Sequence, residues 1–198
     1  MSTDSAGDSP LSLVARLVGL FEELDIPYAL GGSLASSMFG EPRATADVDM
    51  AIRVDVELGE QLLDRVAVEF YVPLAAARTA IRTQQSFNLL DIEQGLKADL
   101  FVLGDGMIDQ RQINRRVRVH LPGVPIDLWV TSPEDQVLRK LEWFRAGDHT
   151  SDRQWRDVLG LLTVRGDRLD LVDVRAAAEG LGLGELLEQA LRQVAEPD

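Results

Sequence analysis

The chain has 198 residues, of which 45% are hydrophobic and 27% are charged, and these values are typical of a globular domain with its own core. It contains no cysteine, which excludes disulfides and thiolate metal sites, and its two histidines leave little for a histidine-based metal site. The formal net charge of −13 argues against broad, sequence-independent binding to nucleic acid, because that affinity comes mainly from Lys and Arg contacts with phosphates.

The N-terminal segment MSTDSAGDSP has neither the basic nor the apolar region of a signal peptide. No apolar run approaches the roughly 18 residues that a membrane-spanning helix needs. We therefore expect a cytoplasmic protein that does not enter a membrane, with residues 1–9 disordered.

The first elements of the chain predict an anion-binding turn. Apolar residues at helical spacing predict a helix over residues 12–24, and Tyr28–Leu30 is typical of a short buried strand. Gly31 and Gly32 then permit a sharp turn, and Ser33 is predicted to cap the next helix. A strand, a glycine turn and a helix N-terminus together favour anion binding, because free N–H groups and the helix dipole face the ligand.

Asp47 and Asp49 flank Val48 at the start of a predicted strand that continues to Ile52. Residues i and i+2 of a strand point to the same face, and at about 3.3 Å per residue their Cα atoms lie roughly 6.6 Å apart. Two carboxylates so placed can chelate a divalent cation that prefers oxygen ligands.

The middle of the chain predicts two helices, over residues 57–70 and 74–82, and then a hairpin. The hairpin strands are residues 86–92 and 96–103, joined by the turn Glu93-Gln94-Gly95. Asp99 is a single carboxylate within the otherwise apolar second strand. Because Asp is disfavoured in strand centres, this position suggests a task, although Asp99 could also be an edge-strand charge.

The last third of the chain is predicted to be largely helical. A polar helix over residues 107–116 and a strand pair, 117–121 with 124–130, precede Ser132, which is typical of a helix cap. Further helices are predicted from Ser132 to about Gly147, from Ser151, and over 171–179 and 184–194. We expect an α/β core over residues 10–130 and a helical C-terminal part over 131–198 of the same unit.

The run from Gly31-Gly32-Ser33 to Asp47-x-Asp49 resembles the signature of the polymerase-β-like nucleotidyltransferases. The intervening Arg43-x-Thr45-x-Asp47 is similar to the bacterial branch that includes the AbiEii-type toxins, which pair with antitoxins and some of which modify tRNA. Residues 132–158 resemble the same branch more loosely. The resemblance implies an α/β fold with a short mixed sheet, packed helices and a helical C-terminal part.

The resemblance also implies roles for individual residues. The phosphates of an NTP would lie at Gly31, Gly32 and Ser33, with further nucleotide contacts from Arg43, Lys140 and Asp157. Two Mg²⁺ ions, or Mn²⁺, would be held by Asp47, Asp49 and Asp99, and these three with Lys140 would form the catalytic set. In plainer interpretations Lys140 is a surface lysine, Asp157 pairs with a nearby arginine, and Trp143 and Trp155 belong to the core.

Three functions of different class remain open from the sequence. A toxin-like enzyme would transfer an NMP to tRNA or protein, and an antitoxin would be its partner. An aminoglycoside-type enzyme would act on a small molecule, and an acidic surface would suit a cationic substrate. A non-catalytic nucleotide-binding or partner protein is the third, because a fold does not determine a function. The arginine cluster Arg111, Arg115, Arg116 and Arg118 is expected to be a solvated face, or else an acceptor-binding patch.

Overall fold

The structure, a computed structural model, describes residues 9–42, 44–120 and 127–196. Of residues 1–9, which were predicted to be disordered, 1–8 lie outside the described residues, whereas Ser9 is described and caps the first helix. Arg43 and residues 121–126, with the predicted turn and strand ends, also lie outside them. The helices are α1 (Pro10–Glu23), α2 (Gly32–Phe39), α3 (Val56–Val66), α4 (Leu74–Thr83), α5 (Met107–Asn114), α6 (Pro133–Ala146), α7 (Asp152–Arg165), α8 (Leu171–Gly180) and α9 (Gly184–Ala195). The strands are β1 (Tyr28–Leu30), β2 (Asp47–Ile52), β3 (Ser86–Asp91), β4 (Leu96–Val102), β5 (Val117–Val119) and β6 (Leu128–Val130).

All these strands form one mixed sheet in the order β3-β4-β2-β1-β6-β5. β4 runs parallel to β2, and β1 runs parallel to β6. The other neighbouring strands, β3 with β4, β1 with β2 and β5 with β6, are antiparallel. The predicted α/β fold with a short mixed sheet is confirmed, and so is the hairpin of β3 and β4.

Alternation along β2 and β4 gives the centre of the sheet one apolar and one polar face. In β4 the buried positions alternate with partly exposed ones along the whole strand. Val48, Met50 and Leu100 are fully buried in the main hydrophobic core, together with side chains of α1 such as Leu13 and Leu17. The intervening residues of both strands point away from this core, because successive side chains of a strand face opposite ways.

Local chemistry explains where the later helices begin. The hydroxyl of Ser132 accepts a hydrogen bond from the backbone N–H of Asp135, and that of Ser151 accepts one from Gln154. Each bond satisfies an amide that the first turn of a helix leaves without a partner. Both predicted caps are confirmed. The helices that follow, α6 and α7, pack on each other and contribute Leu138, Leu141 and other residues to the same core as the sheet.

Two predicted boundaries were wrong. Ser33 is not a cap: α2 begins two residues earlier than such a cap implies, with Gly31 at the N-cap, and Ser33 is buried inside the first turn. The helix predicted to reach Phe70 ends at Val66. Phe70 is still buried, because its N–H donates to the Val66 carbonyl in a turn that returns the side chain to the core. Within the described ranges, no helix combines the length and the apolar character that crossing a bilayer requires.

Candidate active site

Four charged side chains share the polar face of the β2–β4 pair. The parallel register places Asp47 opposite Lys97 and Asp49 opposite Asp99. Register partners on neighbouring strands point to the same face, as do residues two apart on one strand. Three carboxylates and one ammonium therefore lie together on the side of the sheet that faces away from the main core.

The glycine turn packs directly against Asp49. The Gly31 N–H donates to the backbone carbonyl of Asp49 over 2.8 Å, which ties the turn to β2. Gly32 has a φ of +57°, and a Cβ there would lie 1.7 Å from Oδ2 of Asp49. Only glycine fits this position, since any side chain would both strain the backbone and displace the carboxylate. The backbone N–H of Ser33 donates to the Asp49 carboxylate.

The pKa of Asp49 is raised, first by burial and then by the nearby negative charge of Asp99. Asp47 adds a smaller effect of the same sign. The ammonium of Lys140 and the Ser33 N–H oppose the rise, because both stabilise the ionised form. Asp49 is thus a carboxylate whose ionised form lacks full compensation, and an added cation would relieve it.

Lys97 contacts this carboxylate group directly, through Asp99. Its Nζ lies 2.8 Å from Oδ2 of Asp99. The pKa of Lys97 is raised mainly by this hydrogen bond, with added attraction from Asp99, Asp47 and Asp49. The side chain of Lys97 is 37% exposed and that of Asp99 19% exposed, so the pair is open to solvent.

Lys140 and Asp157 form a buried ion pair between α6 and α7. Nζ of Lys140 lies 2.7 Å from Oδ2 of Asp157, and the two side chains are only 2% and 6% exposed. Lys140 is therefore not a plain surface lysine, and Asp157 pairs with it across the two helices. Lys140 connects this pair with Asp49, whose carboxylate its charge stabilises.

One pocket of about 280 Å³ collects most of the predicted site residues. Its walls include Ser33, Asp47, Asp49, Asp99 and Lys140. Asp157 lines a different pocket, with Ser36 and Glu41 among others, and it contacts Lys140, which lines the first one. Of the other predicted nucleotide-binding residues, Gly31 and Gly32 form the turn behind Asp49, and Arg43 lies outside the described residues.

The same pocket contains residues that the sequence analysis missed, namely Phe101, Trp143, Arg153 and Gln154. The rings of Phe101 and Trp143 contact each other with centroids 5.6 Å apart. Spacing could have identified both: Phe101 follows Asp99 by two residues on one strand, and Trp143 follows Lys140 by three residues on one helix. Trp143 is half-buried and lines the pocket, so assigning it to the core was incomplete.

The arginine cluster of residues 111–118 is not a free basic patch. Arg111 pairs with Asp135 and Asp173, at 2.6 and 2.5 Å, and Arg115 also contacts Asp173 at 2.9 Å. The guanidinium groups of Arg116 and Arg118 lie over the ring of Trp129. The expectation of a solvated face was wrong for Arg111, because its guanidinium forms ion pairs that link α5 to α6 and α8.

The carboxylates supply the right donor chemistry for Mg²⁺ or Mn²⁺, since both prefer oxygen ligands, and the raised pKa of Asp49 marks negative charge that a cation would offset. Their present arrangement is not a closed cage. Among the described residues, no three His, Cys, Asp or Glu side chains are grouped closely enough to hold one metal ion. Asp99 contacts Lys97 in this arrangement.

No protein-family model matches the sequence, and no curated protein is significantly similar to it. Solved structures are similar in fold. An antigenic nucleotidyltransferase-like protein from Paracoccidioides brasiliensis has a TM-score of 0.53 at 20% identity, over 93% of both chains. The antibiotic-resistance factor ANT(2'')-Ia reaches 0.56 at 13% identity, over 92% of this chain and 97% of that one. The chain has a nucleotidyltransferase fold.

A third structure with this nucleotidyltransferase fold is the lincosamide antibiotic adenylyltransferase LnuA with lincomycin bound. Its TM-score is 0.50 at 13% identity, and the match covers 76% of this chain and 95% of LnuA. The similarity extends over nearly the whole length of each of these proteins. At such identities the similarity establishes the fold alone, because one fold can carry different functions.

Proposed function

We propose that this protein is a metal-dependent nucleotidyltransferase, which transfers an NMP from an NTP to a hydroxyl group of an acceptor. The observation that carries the proposal is the single pocket in which Asp47, Asp49 and Asp99 face Ser33 and Lys140. This combination contains oxygen ligands for a metal, a helix N-terminus whose dipole favours phosphate, and a buried cation for charge compensation. The AbiEii-type branch remains a resemblance in sequence.

The pocket offers a distinct place for each part of the nucleotide. The phosphates bind at the turn of Gly31, Gly32 and Ser33, where α2 begins, and Lys140 compensates the charge that develops on them. The base stacks at the aromatic pair of Phe101 and Trp143, because every base has a π-face that an aromatic ring can contact. Asp157 holds Lys140 in position rather than touching the nucleotide.

Asp47, Asp49 and Asp99 would hold up to two Mg²⁺ or Mn²⁺ ions, which when bound neutralise charge on the entering and leaving oxygens of an in-line displacement. The acceptor oxygen forms a bond to the α-phosphorus, and the bond from that phosphorus to the pyrophosphate oxygen breaks. Asp99 takes the proton of the acceptor hydroxyl, since its carboxylate is partly open to solvent and stands beside Asp49. The products are the nucleotidylated acceptor and pyrophosphate.

A small cationic molecule is the acceptor that the charges favour. The chain has a net charge of −13, and the arginines that could have formed a patch for RNA are paired with Asp135 and Asp173 or stacked on Trp129. A cleft lined by carboxylates attracts cations. ANT(2'')-Ia has been solved with adenylyl-2''-tobramycin and LnuA with lincomycin, so this fold accommodates such acceptors. Transfer to tRNA or protein in the cytoplasm, with an antitoxin as partner, is the alternative.

The deciding experiment follows a label from NTP to acceptor. Each α-³²P-labelled NTP is incubated with the protein and Mg²⁺, together with an aminoglycoside, a lincosamide, tRNA or cell extract. We expect label on a small cationic molecule with the wild-type protein and none with Asp49→Asn. Label on tRNA or on a protein would replace the small-molecule acceptor by the toxin-like one. An absence of both NTP binding and transfer would overturn the proposal.

A test of Lys140 must remove both charges of its buried ion pair with Asp157. Lys140→Ala alone leaves Asp157 buried without its nearest cation, and any loss of NTP affinity could then come from local unfolding. The double variant Lys140→Met and Asp157→Asn removes both charges at nearly constant volume. We expect this variant to fold and to bind Mg²⁺-NTP at least about tenfold more weakly in calorimetry, which corresponds to about 1.4 kcal/mol. An unchanged affinity would remove Lys140 from the nucleotide site.

A further inference from the structure

The chain has only two lysines, and both lie at the candidate active site. The sequence has 20 Lys and Arg residues, of which only Lys97 and Lys140 are lysines. Lys140 lines the pocket, and Lys97 contacts Asp99 in its wall. Apart from the contact of His120 with Asp127, the ion pairs described elsewhere use arginine, as in Arg16 with Asp91 and Arg111 with Asp135. An ammonium is a compact, mobile point charge, whereas a guanidinium is a planar fork, so the two residues suit different tasks.

The two lysines sit in contrasting surroundings. Lys140 is 2% exposed and its partner Asp157 6% exposed, which makes that pair part of the protein interior. Lys97 is 37% exposed and its partner Asp99 19% exposed. An ion pair open to water is weak and readily exchanged, because solvent compensates both charges when it separates. The four-carbon stem of Lys97 also allows its Nζ to leave Asp99 without any movement of β4.

The position of Lys97 within the carboxylate group is specific. It stands opposite Asp47 in the β2–β4 register and two residues before Asp99, so its stem rises from the same face as all three carboxylates. Its Nζ lies 2.8 Å from Oδ2 of Asp99. A ligand oxygen engaged by an ammonium cannot at the same time complete the coordination of a divalent cation, and the two positive charges repel each other.

We propose that Lys97 is a positioning residue, an internal cation that holds Asp99 until a divalent metal ion displaces it. The inference rests on the proposed function, because it takes Asp47, Asp49 and Asp99 as metal ligands. Lys97 engages Asp99, and a divalent ion held by Asp47 and Asp49 would compete for the same carboxylate. Metal affinity is then set partly by the cost of releasing Lys97.

Metal binding without any substrate tests this competition. Mn²⁺ affinity is measured from the EPR signal of the free ion in wild type, Lys97→Met and Lys97→Arg. Loss of an exposed ion pair predicts a dissociation constant lower by about fivefold in Lys97→Met, and one no lower than wild type in Lys97→Arg, whose guanidinium still engages Asp99. Arg78→Met is the control for net charge, because it removes a cation that pairs with Glu60 on the surface and lines no part of the pocket. Its affinity should match wild type.

A second measurement follows the two lysines in the wild-type protein by NMR, and a variant is used only to assign their signals. Protein labelled with ¹³C-lysine gives two lysine signals, which Lys97→Arg assigns. Diamagnetic Mg²⁺ should shift the Cε signal of Lys97, because its carboxylate partner is taken away, and should shift the buried Lys140 much less.

The outcomes separate this inference from the proposed function. Equal Mn²⁺ affinity in wild type and Lys97→Met, with an unmoved Lys97 signal, would overturn the inference alone and leave the metal site intact. An absence of metal binding in both proteins would overturn the inference and the metal-dependent function together.

Discussion

The two faces of the β2–β4 strand pair carry opposite chemistry on the same backbone. One face presents Val48, Met50 and Leu100, all fully buried, and the other presents the four charged residues around Asp49 and Lys97. Burial of the apolar face stabilises the fold by about 1.5–3 kcal/mol for each large side chain. The charged face opposes folding, since burial and like charges raise the pKa of Asp49. Because side chains alternate along a strand, a destabilising charged site lies directly across the sheet from the apolar core that offsets its cost.

Leu100→Ala should cause the largest loss in the free energy of unfolding, and it changes only the apolar face. Leu100 is 0% exposed, and truncation of a buried leucine costs about 2–5 kcal/mol, because it removes apolar contacts and leaves a cavity. Urea denaturation measures the loss. The stabilisation that Mg²⁺ confers should persist in the folded variant, because the carboxylates are untouched. A folded Leu100→Ala protein without any metal response would show that the two faces are not independent.

Gly32→Ala should cause the next largest loss of stability. It changes the glycine turn at the point where the turn contacts Asp49. An alanine at φ +57° costs about 1–2 kcal/mol, and here its Cβ would also overlap Asp49. Gly95→Ala is the matched control: its φ is +65°, yet nothing lies within 4 Å of the added Cβ. Both variants should lose stability in urea denaturation, and only Gly32→Ala should lose Mn²⁺ affinity and transfer activity. Equal metal binding in the two would show that Asp49 tolerates displacement.

Asp49→Asn should move stability in the opposite direction. The amide keeps the shape and removes one of three mutually repelling charges, so we expect the metal-free protein to gain about 0.5–2 kcal/mol, as when a functional charge is replaced. The Mg²⁺-induced rise in melting temperature should shrink, and transfer should be lost. Asp127→Asn is the control, because Asp127 is exposed and should change stability by less than about 0.5 kcal/mol. Identical melting of wild type and Asp49→Asn, with and without Mg²⁺, would contradict the metal role of Asp49.

Much of the fold could be predicted because its signals are local. Apolar spacing, the Ser132 and Ser151 caps and the turn at residues 93–95 each act within a few residues, and the corresponding elements are present. The start of α2 was misjudged because Ser33 matched a cap pattern, while Gly31 and Gly32 adopt conformations that let the helix begin earlier.

The part of the site that escaped prediction depends on distant pairing. Nothing local to Lys97 shows that it stands opposite Asp47, because that register joins strands that are not consecutive in the chain. The pairing of Lys140 with Asp157 likewise depends on how α6 and α7 pack, and Arg153 was as plausible a partner from spacing alone. The carboxylates themselves were found because their chemistry is unusual for strand positions.

The smallest predicted change in stability comes from Asp91, a carboxylate on the apolar side of the sheet. Its contribution to stability should depend on pH in the opposite sense to that of Asp49, whose pKa is raised. Asp91 follows Leu89 by two residues on β3, and its Oδ2 lies 2.5 Å from Nη1 of Arg16. The hydrogen bond from Arg16 lowers the pKa of Asp91. A carboxylate with a lowered pKa stabilises the folded state above the pKa of the unfolded chain, and this contribution is lost as the pH falls through the folded value.

Asp91→Asn should therefore cost about 0.5–1 kcal/mol at pH 7, a modest value because Arg16 is one-third exposed and solvent screens the pair. The difference from wild type should vanish in acid, once Asp91 is protonated in both states of the wild-type chain. Urea denaturation at pH 7 and at low pH measures both values. Glu69→Gln is the control, because Glu69 contacts the same arginine at 3.0 Å but is 58% exposed, and it should have almost no effect at either pH. A gain of stability in Asp91→Asn at pH 7 would mean that the charged form of Asp91, like that of Asp49, destabilises the folded protein. The two faces of the sheet would then not differ in this respect.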